Sequence, residues 1–340
     1  MVARTTLVKE EKGSLYFPSS KHKFISTGCT GLDCILGGGW CLGRVANIVG
    51  DKSVGKTLLA IEASANFARQ YNKGHIWYRE AEAAFDTPYA GNLGLPLDRV
   101  DFGPEGEDTV WQTIEDIWED MRSCIKIASD TGEPGLYIVD SLDAVGSRDS
   151  RGRDLEKGTY NMTKQKLLSE MFQEIAGDLK KTQIAMLIIS QVRDKIGFVM
   201  GEKHTRSGGK ALDFYTSHVV WLAHIKRLVE QKGGIKRATG VRIKAQCKKN
   251  KITKPFGEFE FGILFGYGVD DLIANLDWLE EVKMLHLLNL KSKDVDDYIK
   301  ECEAYEDIRY REVSNSVRTV VMSAWDEIEQ RFKPTRKKYV

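Results

Sequence analysis

The eight residues GDKSVGKT at 50–57 combine three chemical capabilities in one short run. Gly50 and Gly55 let the backbone fold back, so that the N–H groups of Asp51, Lys52, Ser53 and Val54 can converge on one anion as a nest. A helix starting at the end of the run adds its positive N-terminus. Lys56 can then reach the β- and γ-phosphates of a nucleotide, and the Thr57 hydroxyl can ligate Mg²⁺. The run fits G-x-x-x-x-G-K-[ST] and lies between an apolar strand-like stretch, RVANIVG (44–50), and a helical pattern at 56–70. That strand–loop–helix setting distinguishes a phosphate loop from an incidental glycine turn.

A nucleotide held this way needs carboxylates nearby. LYIVD delivers Asp140 at the end of another apolar run, followed by Ser141, placed to hold Mg²⁺ or one of its waters. REAEAAFDTPYA (79–90) ends a further run with Glu80 and Glu82. A carboxylate there can polarise the water that attacks a terminal phosphate.

The elements that must carry these groups follow from periodicity. Strands are predicted at 44–50, 74–80, 135–141 and 185–191, with helices between them at 56–70, 109–129 and 161–181. In the last helix Met162, Gln165, Leu168, Met171, Phe172, Ile175 and Leu179 share one face. Strands alternating with helices predict an α/β fold with a mostly parallel central sheet. After residue 215 three runs, HVVWLAHIKRLV, GVRIKAQCKKN and GEFEFGILFG, are joined by short polar links and predict an antiparallel extension of that sheet. The division expected is an N-terminal arm at 1–24, a core at 25–273 and a small, charged helical region at 274–340.

Composition narrows the partners. In 340 residues, 50 Lys and Arg balance 49 Asp and Glu, a formal charge of +1, so any nucleic-acid contact must come from local basic clusters. No two of the six cysteines form a CxxC pair, which argues against zinc. No apolar stretch is long enough to span a bilayer, and MVARTTLVKEEKGSLYF has no apolar signal core. The expectation is a cytoplasmic protein without a membrane partner.

Seven stretches, ISTGCTGLD, GDKSVGKT, AEAAFD-PYA, IVDS, SQVRDKIG, SGGKALDFY and KKNKITKPF, follow one another in the order and spacing of the RecA recombinase family. The chain resembles that family over residues 24–275. The resemblance implies a RecA-like P-loop ATPase core. Glu82 would be the catalytic carboxylate, Asp140 the acid beside Mg²⁺, Asp86 and Tyr89 the frame of the adenine, and Gln191 the sensor of the γ-phosphate. Lys249 and Lys251 would reach the γ-phosphate of a neighbouring protomer, so that ATP is shared between subunits.

Two loops would hold DNA. The first is 146–162, carrying Arg148, Arg151, Arg153 and Lys157, with Lys166 in the helix that follows. The second is 192–210, carrying Arg193, Lys195, Gly197, Phe198, Met200, Arg206, Ser207, Gly208 and Gly209; cations supply phosphate contacts and glycines permit close backbone approach. The function implied is ATP hydrolysis in a helical filament on single-stranded DNA, with pairing and strand exchange against a homologous duplex. The alternatives are a ring-forming helicase or translocase, and an ATP-gated DNA coat without exchange. The chain departs from the family pattern where ALKFYASVR becomes ALDFYTSHV: Asp213 stands for a lysine and Val219 for an arginine. The aromatic usual near the middle of the second loop corresponds to Met200. The C-terminus ends basic, and the arm lacks a long docking helix.

Overall fold

The computed structural model describes residues 22–151, 160–194, 204–206 and 208–336. The chain opens with β1 (Phe24–Ile25), α1 (Thr30–Leu36) and β2 (Trp40–Cys41), then β3 (Val45–Gly50) and α2 (Lys56–Gln70). There follow β4 (His75–Glu80), α3 (Thr87–Asn92), β5 (Val100–Asp101), α4 (Ile114–Thr131) and β6 (Gly135–Asp140). Next come α5 (Arg148–Arg151), α6 (Tyr160–Thr182), β7 (Ile184–Asp194), β8 (His204–Arg206) and α7 (Gly209–Tyr215). β9 (His218–Lys232), β10 (Ile235–Asn250), β11 (Glu258–Leu264) and β12 (Gly268–Asp270) lead to α8 (Asp271–Glu281), α9 (Val295–Glu303) and α10 (Asp307–Arg331).

One large sheet runs β12-β11-β10-β9-β3-β7-β6-β4-β5, with β8 added to β7. The strands from β9 through β3, β7, β6 and β4 to β5 pair in parallel. The α/β class and the parallel sheet therefore agree with the sequence reading. Beyond β9 the pairing is antiparallel, whereas β9 itself lies parallel to β3.

Two-residue alternation along the central strands feeds two cores. Ile76, Tyr78, Leu136, Ile138, Leu187 and Ile189 face α2. Trp77, Tyr137, Val139, Met186 and Ile188 face α4 and α6. The helical stripe of α6 is buried at Leu168, Met171, Phe172, Ile175 and Leu179, while Gln165 lies exposed. A third cluster, built from Leu272, Leu276, Leu279, Cys302, Val317 and Val321, joins α8, α9 and α10.

Two boundaries differ from the periodicity, each for a physical reason. α4 starts at 114 rather than 109 because Thr113 caps it, its hydroxyl accepting from the Asp116 N–H at 3.2 Å. The preceding residues bond strand ends instead, with Trp111 N–H donating to Glu80 O. The β9–β10 ribbon runs to a Gly233-Gly234 turn, well beyond the apolar runs that announced it. Its outer part is exposed on both faces, so no hydrophobic alternation marks it.

Candidate functional site

Glu80 ends β4 opposite Asp140 at the end of β6, and Gly50 ends β3 opposite Gln191 in β7. The carboxyl ends of four parallel strands therefore open on one crevice, where open α/β sheets place their ligands. The loop from Gly50 to Thr57 turns there from β3 into α2. Gly55 has φ +84°, and a Cβ on it would stand 2.3 Å from Ile263 Cδ1, so only glycine closes this turn.

Lys56 Nζ donates to the Asp51 carbonyl at 2.7 Å, which draws the lysine back over its own loop. Burial pulls its pKa down; Asp140, Glu82, Asp51 and Asp143 oppose that pull. Thr57 Oγ1 donates to Asp140 Oδ2 at 2.8 Å, and Tyr78 Oη donates to the same oxygen at 2.8 Å. Burial raises the Asp140 carboxyl to about 6, while the two hydroxyls work against that rise.

The donor set fits a hard cation. Among the described residues no three His, Cys, Asp or Glu groups converge on one point. Mg²⁺ would rest on the Thr57 hydroxyl, phosphate oxygens and waters ordered by Asp140, the sparse protein ligation this ion favours.

Glu80 and Glu82 divide their labour. Glu80 is buried, and its carboxylate accepts from the backbone N–H groups of Glu82, Ala83 and Ala84 at 2.9, 2.6 and 3.3 Å. It shapes the turn. Glu82 is exposed; the Ser141 hydroxyl donates to its Oε1, and Gln191 Nε2 donates to the same oxygen at 3.3 Å. Ser141 thus orients a carboxylate here. Gln191 is steadied in turn, its backbone N–H donating to Asp143 Oδ2 at 2.7 Å.

Asp86 caps α3, its carboxylate accepting from Tyr89 N–H at 2.8 Å. Tyr89 then lines a cavity of about 250 Å³ with Ser53, Gly55, Lys56, Thr57, Leu58, Val241, Ile263 and Phe265. Its apolar wall and phosphate-loop floor have the form of a nucleotide-base pocket. The sequence reading missed Val241, Ile263 and Phe265, although an aromatic at the end of the GILF run was the available signal. It also missed Tyr78 and Asp143, which no motif marks.

Lys249 and Lys251 do not line this pocket. Both lie against the carbonyl end of α7. Lys249 Nζ donates to Asp213 O and, at 3.4 Å, to Phe214 O; Lys251 Nζ donates to Phe214 O at 2.7 Å. Burial, with the nearby charge of Lys251, pulls the Lys249 pKa down to about 8.

The expected DNA residues are scattered. Lys166 is exposed on α6 and faces Glu170 at 3.8 Å. Arg148 is already paired with Asp116 and Glu119. Arg206 does not project from the loop: it is buried, donating to Asn47 Oδ1 and to Asp213. Gly208, at φ +89°, caps α7, and Gly209 packs on Gln165, whose amide nitrogen would meet an added Cβ at 2.7 Å. Arg193 lies in β7, but its side chain falls outside what is described, as does that of Arg151. Lys195, Gly197, Phe198, Met200 and Ser207 lie outside the described residues, as do Arg153, Lys157 and residues 1–21 of the arm.

A family model for the RecA N-terminal domain matches residues 14–270. Protein RecA of Prochlorococcus marinus strain NATL1A is 34% identical over 265 residues, covering 77% of this chain and 65% of the relative. Protein RecA of strain MIT 9215 is 33% identical over 281 residues, covering 78% of this chain and 68% of the relative. For strain MIT 9515 the identity is 33% over 281 residues, with 78% and 67% covered. The chain spans about two thirds of the length of the curated relatives it matches. Among the described residues no helix is long and apolar enough to cross a membrane.

Proposed function

The chain belongs to the RecA family, and on that premise we propose that it is an ATP-dependent recombinase that polymerises on single-stranded DNA and promotes strand exchange with a homologous duplex. Residues 50–57 hold the triphosphate, Lys56 faces its β- and γ-phosphates, and Tyr89 and Phe265 flank the base. Glu82 takes the proton of the attacking water, held in place by Ser141, while Gln191 senses the γ-phosphate. Mg²⁺, when bound, neutralises phosphate charge beside Thr57 and Asp140.

The observation that carries this reading is the division of charge. The crevice sets Lys56 among the carboxylates of Asp140, Glu82, Asp51 and Asp143. Lys249 and Lys251 sit apart on α7, available to a neighbour's nucleotide. Completing each site from the next protomer is a head-to-tail contact, and such contacts generate helical filaments when the rotation does not close. Cations supplied in trans also couple assembly to nucleotide state.

Electron microscopy of the protein with ATP and single-stranded DNA, followed by a strand-exchange assay, tests the reading. Helical filaments that exchange strands are expected. Closed rings would favour a translocase, and filaments without exchange an ATP-gated coat.

A further inference from the structure

Asp213 is an acid at a position where the resemblance leads one to expect a lysine, beside two lysines and an arginine. The structure gives it a partner. Its carboxylate accepts from Arg206, whose side chain is 7% exposed against 67% for that of Asp213. The same guanidinium donates to Asn47 Oδ1. Arginine suits this junction because its planar fork can serve two acceptors in different directions, which an ammonium does less well.

Each neighbour of Arg206 belongs to a different part of the machinery. Asn47 is fully buried in β3, three residues before the phosphate loop, and its Nδ2 donates to Ile188 O at 2.8 Å and Ser190 Oγ at 2.9 Å. Ser190 precedes Gln191. Arg206 itself lies in β8, in register with Val192, the residue after Gln191. Asp213 lies in α7, whose last carbonyls accept from Lys249 and Lys251. One buried cation therefore touches the strand feeding the phosphate loop, the strand carrying the sensor amide and the helix seating both lysines.

We propose that Arg206 is a positioning residue that links the γ-phosphate side of the site to α7 and its lysines, with Asp213 as its obligatory partner, and that it does not contact DNA. The proposal rests on the reading of the chain as an ATP- and DNA-binding protein. It explains the acid at 213: Arg206 is buried, and the Asp213 carboxylate at its solvent-facing side forms the ion pair that offsets its desolvated charge, so the two should act as a unit.

Anisotropy of a labelled oligothymidylate, measured with and without a non-hydrolysable ATP analogue over a salt series, tests this. Allosteric effectors commonly change affinity by about 5–150-fold. In Asp213→Ala that tightening should fall below about threefold with the salt slope unchanged, and Asp213→Glu should restore it. Arg206→Gln should do the same as Asp213→Ala, and the double variant no more than either alone, the signature of two residues in one linkage. Because the Asp213 side chain is largely exposed, Asp213→Ala should fold even if Arg206→Gln does not.

The opposite pattern would overturn the proposal. If Arg206 were a phosphate contact, Arg206→Gln would weaken binding equally with and without nucleotide and flatten the slope by about one. Asp213→Ala would then tighten binding by removing a repelling charge. A wild-type chain whose DNA affinity ignores the analogue would defeat the functional reading and this inference together. A responsive wild type with equally responsive variants would defeat the inference alone.

Discussion

The crevice at the strand ends and the surface around α7 are opposites in charge and in construction. In the crevice, carboxylates are held by neutral donors: hydroxyls of Thr57, Tyr78 and Ser141, the Gln191 amide and backbone N–H groups. None of these donors cancels their negative charge. Around α7, Lys249 and Lys251 rest on carbonyl oxygens, with Asp213 paired to Arg206. That leaves the two lysines with no carboxylate partner of their own among the described residues. On the reading proposed above, the lysines near α7 supply the cations that the carboxylate-rich crevice lacks.

The largest effect should come from the crevice cation. Lys56→Ala removes the lysine of the phosphate-loop pocket and should weaken ATP binding beyond detection by calorimetry, with folding retained by circular dichroism. Retained tight binding would mean that the crevice holds nucleotide without that lysine.

Glu82→Gln should keep nucleotide and lose about 10²- to 10⁴-fold in hydrolysis, the usual share of a general base. Single-turnover ATPase reads this, and a wild-type rate would remove Glu82 from that role.

The split of the site between protomers is sharpened by mixing. Lys249→Ala/Lys251→Ala should fold and bind nucleotide yet lose DNA-stimulated ATPase by about 10²-fold or more. Combined with Glu82→Gln, itself nearly inactive, it should recover activity, because some interfaces then pair an intact Glu82 with intact lysines. Co-assembly without recovery would assign the lysines to their own subunit.

A smaller effect is expected from pH. Lys249 is charged below its depressed pKa of about 8 and neutral above it, so DNA-stimulated ATPase should decline as pH rises through that value. Arginine stays protonated, and Lys249→Arg should move the decline upward. An unchanged limb would tie it to another group. The smallest effect is at Lys166, whose exposed pairing with Glu170 is worth little to stability. Lys166→Ala should leave the melting temperature unchanged and, if the residue meets DNA, lower the salt slope by about one.

Local features could be read directly from the chain. The 50–57 turn depends on a contiguous backbone and one helix N-terminus, so its residues are written consecutively. Strand and helix periods likewise repeat within a few residues, which made the α/β order and the buried stripe of α6 legible. Tertiary structure decided which distant groups meet. Tyr78 reaches Asp140 only because β4 and β6 are paired in register, and Phe265 joins the cavity beside the 50–57 loop only because β11 folds back along β10. Arg206 looked from sequence like one more cation in a basic, glycine-rich loop. Its burial between Asn47 and Asp213 depends on β8 pairing with β7 beside β3. Such a contact joins residues 159 positions apart, and pairings at that separation leave no period in the chain for a sequence reading to find.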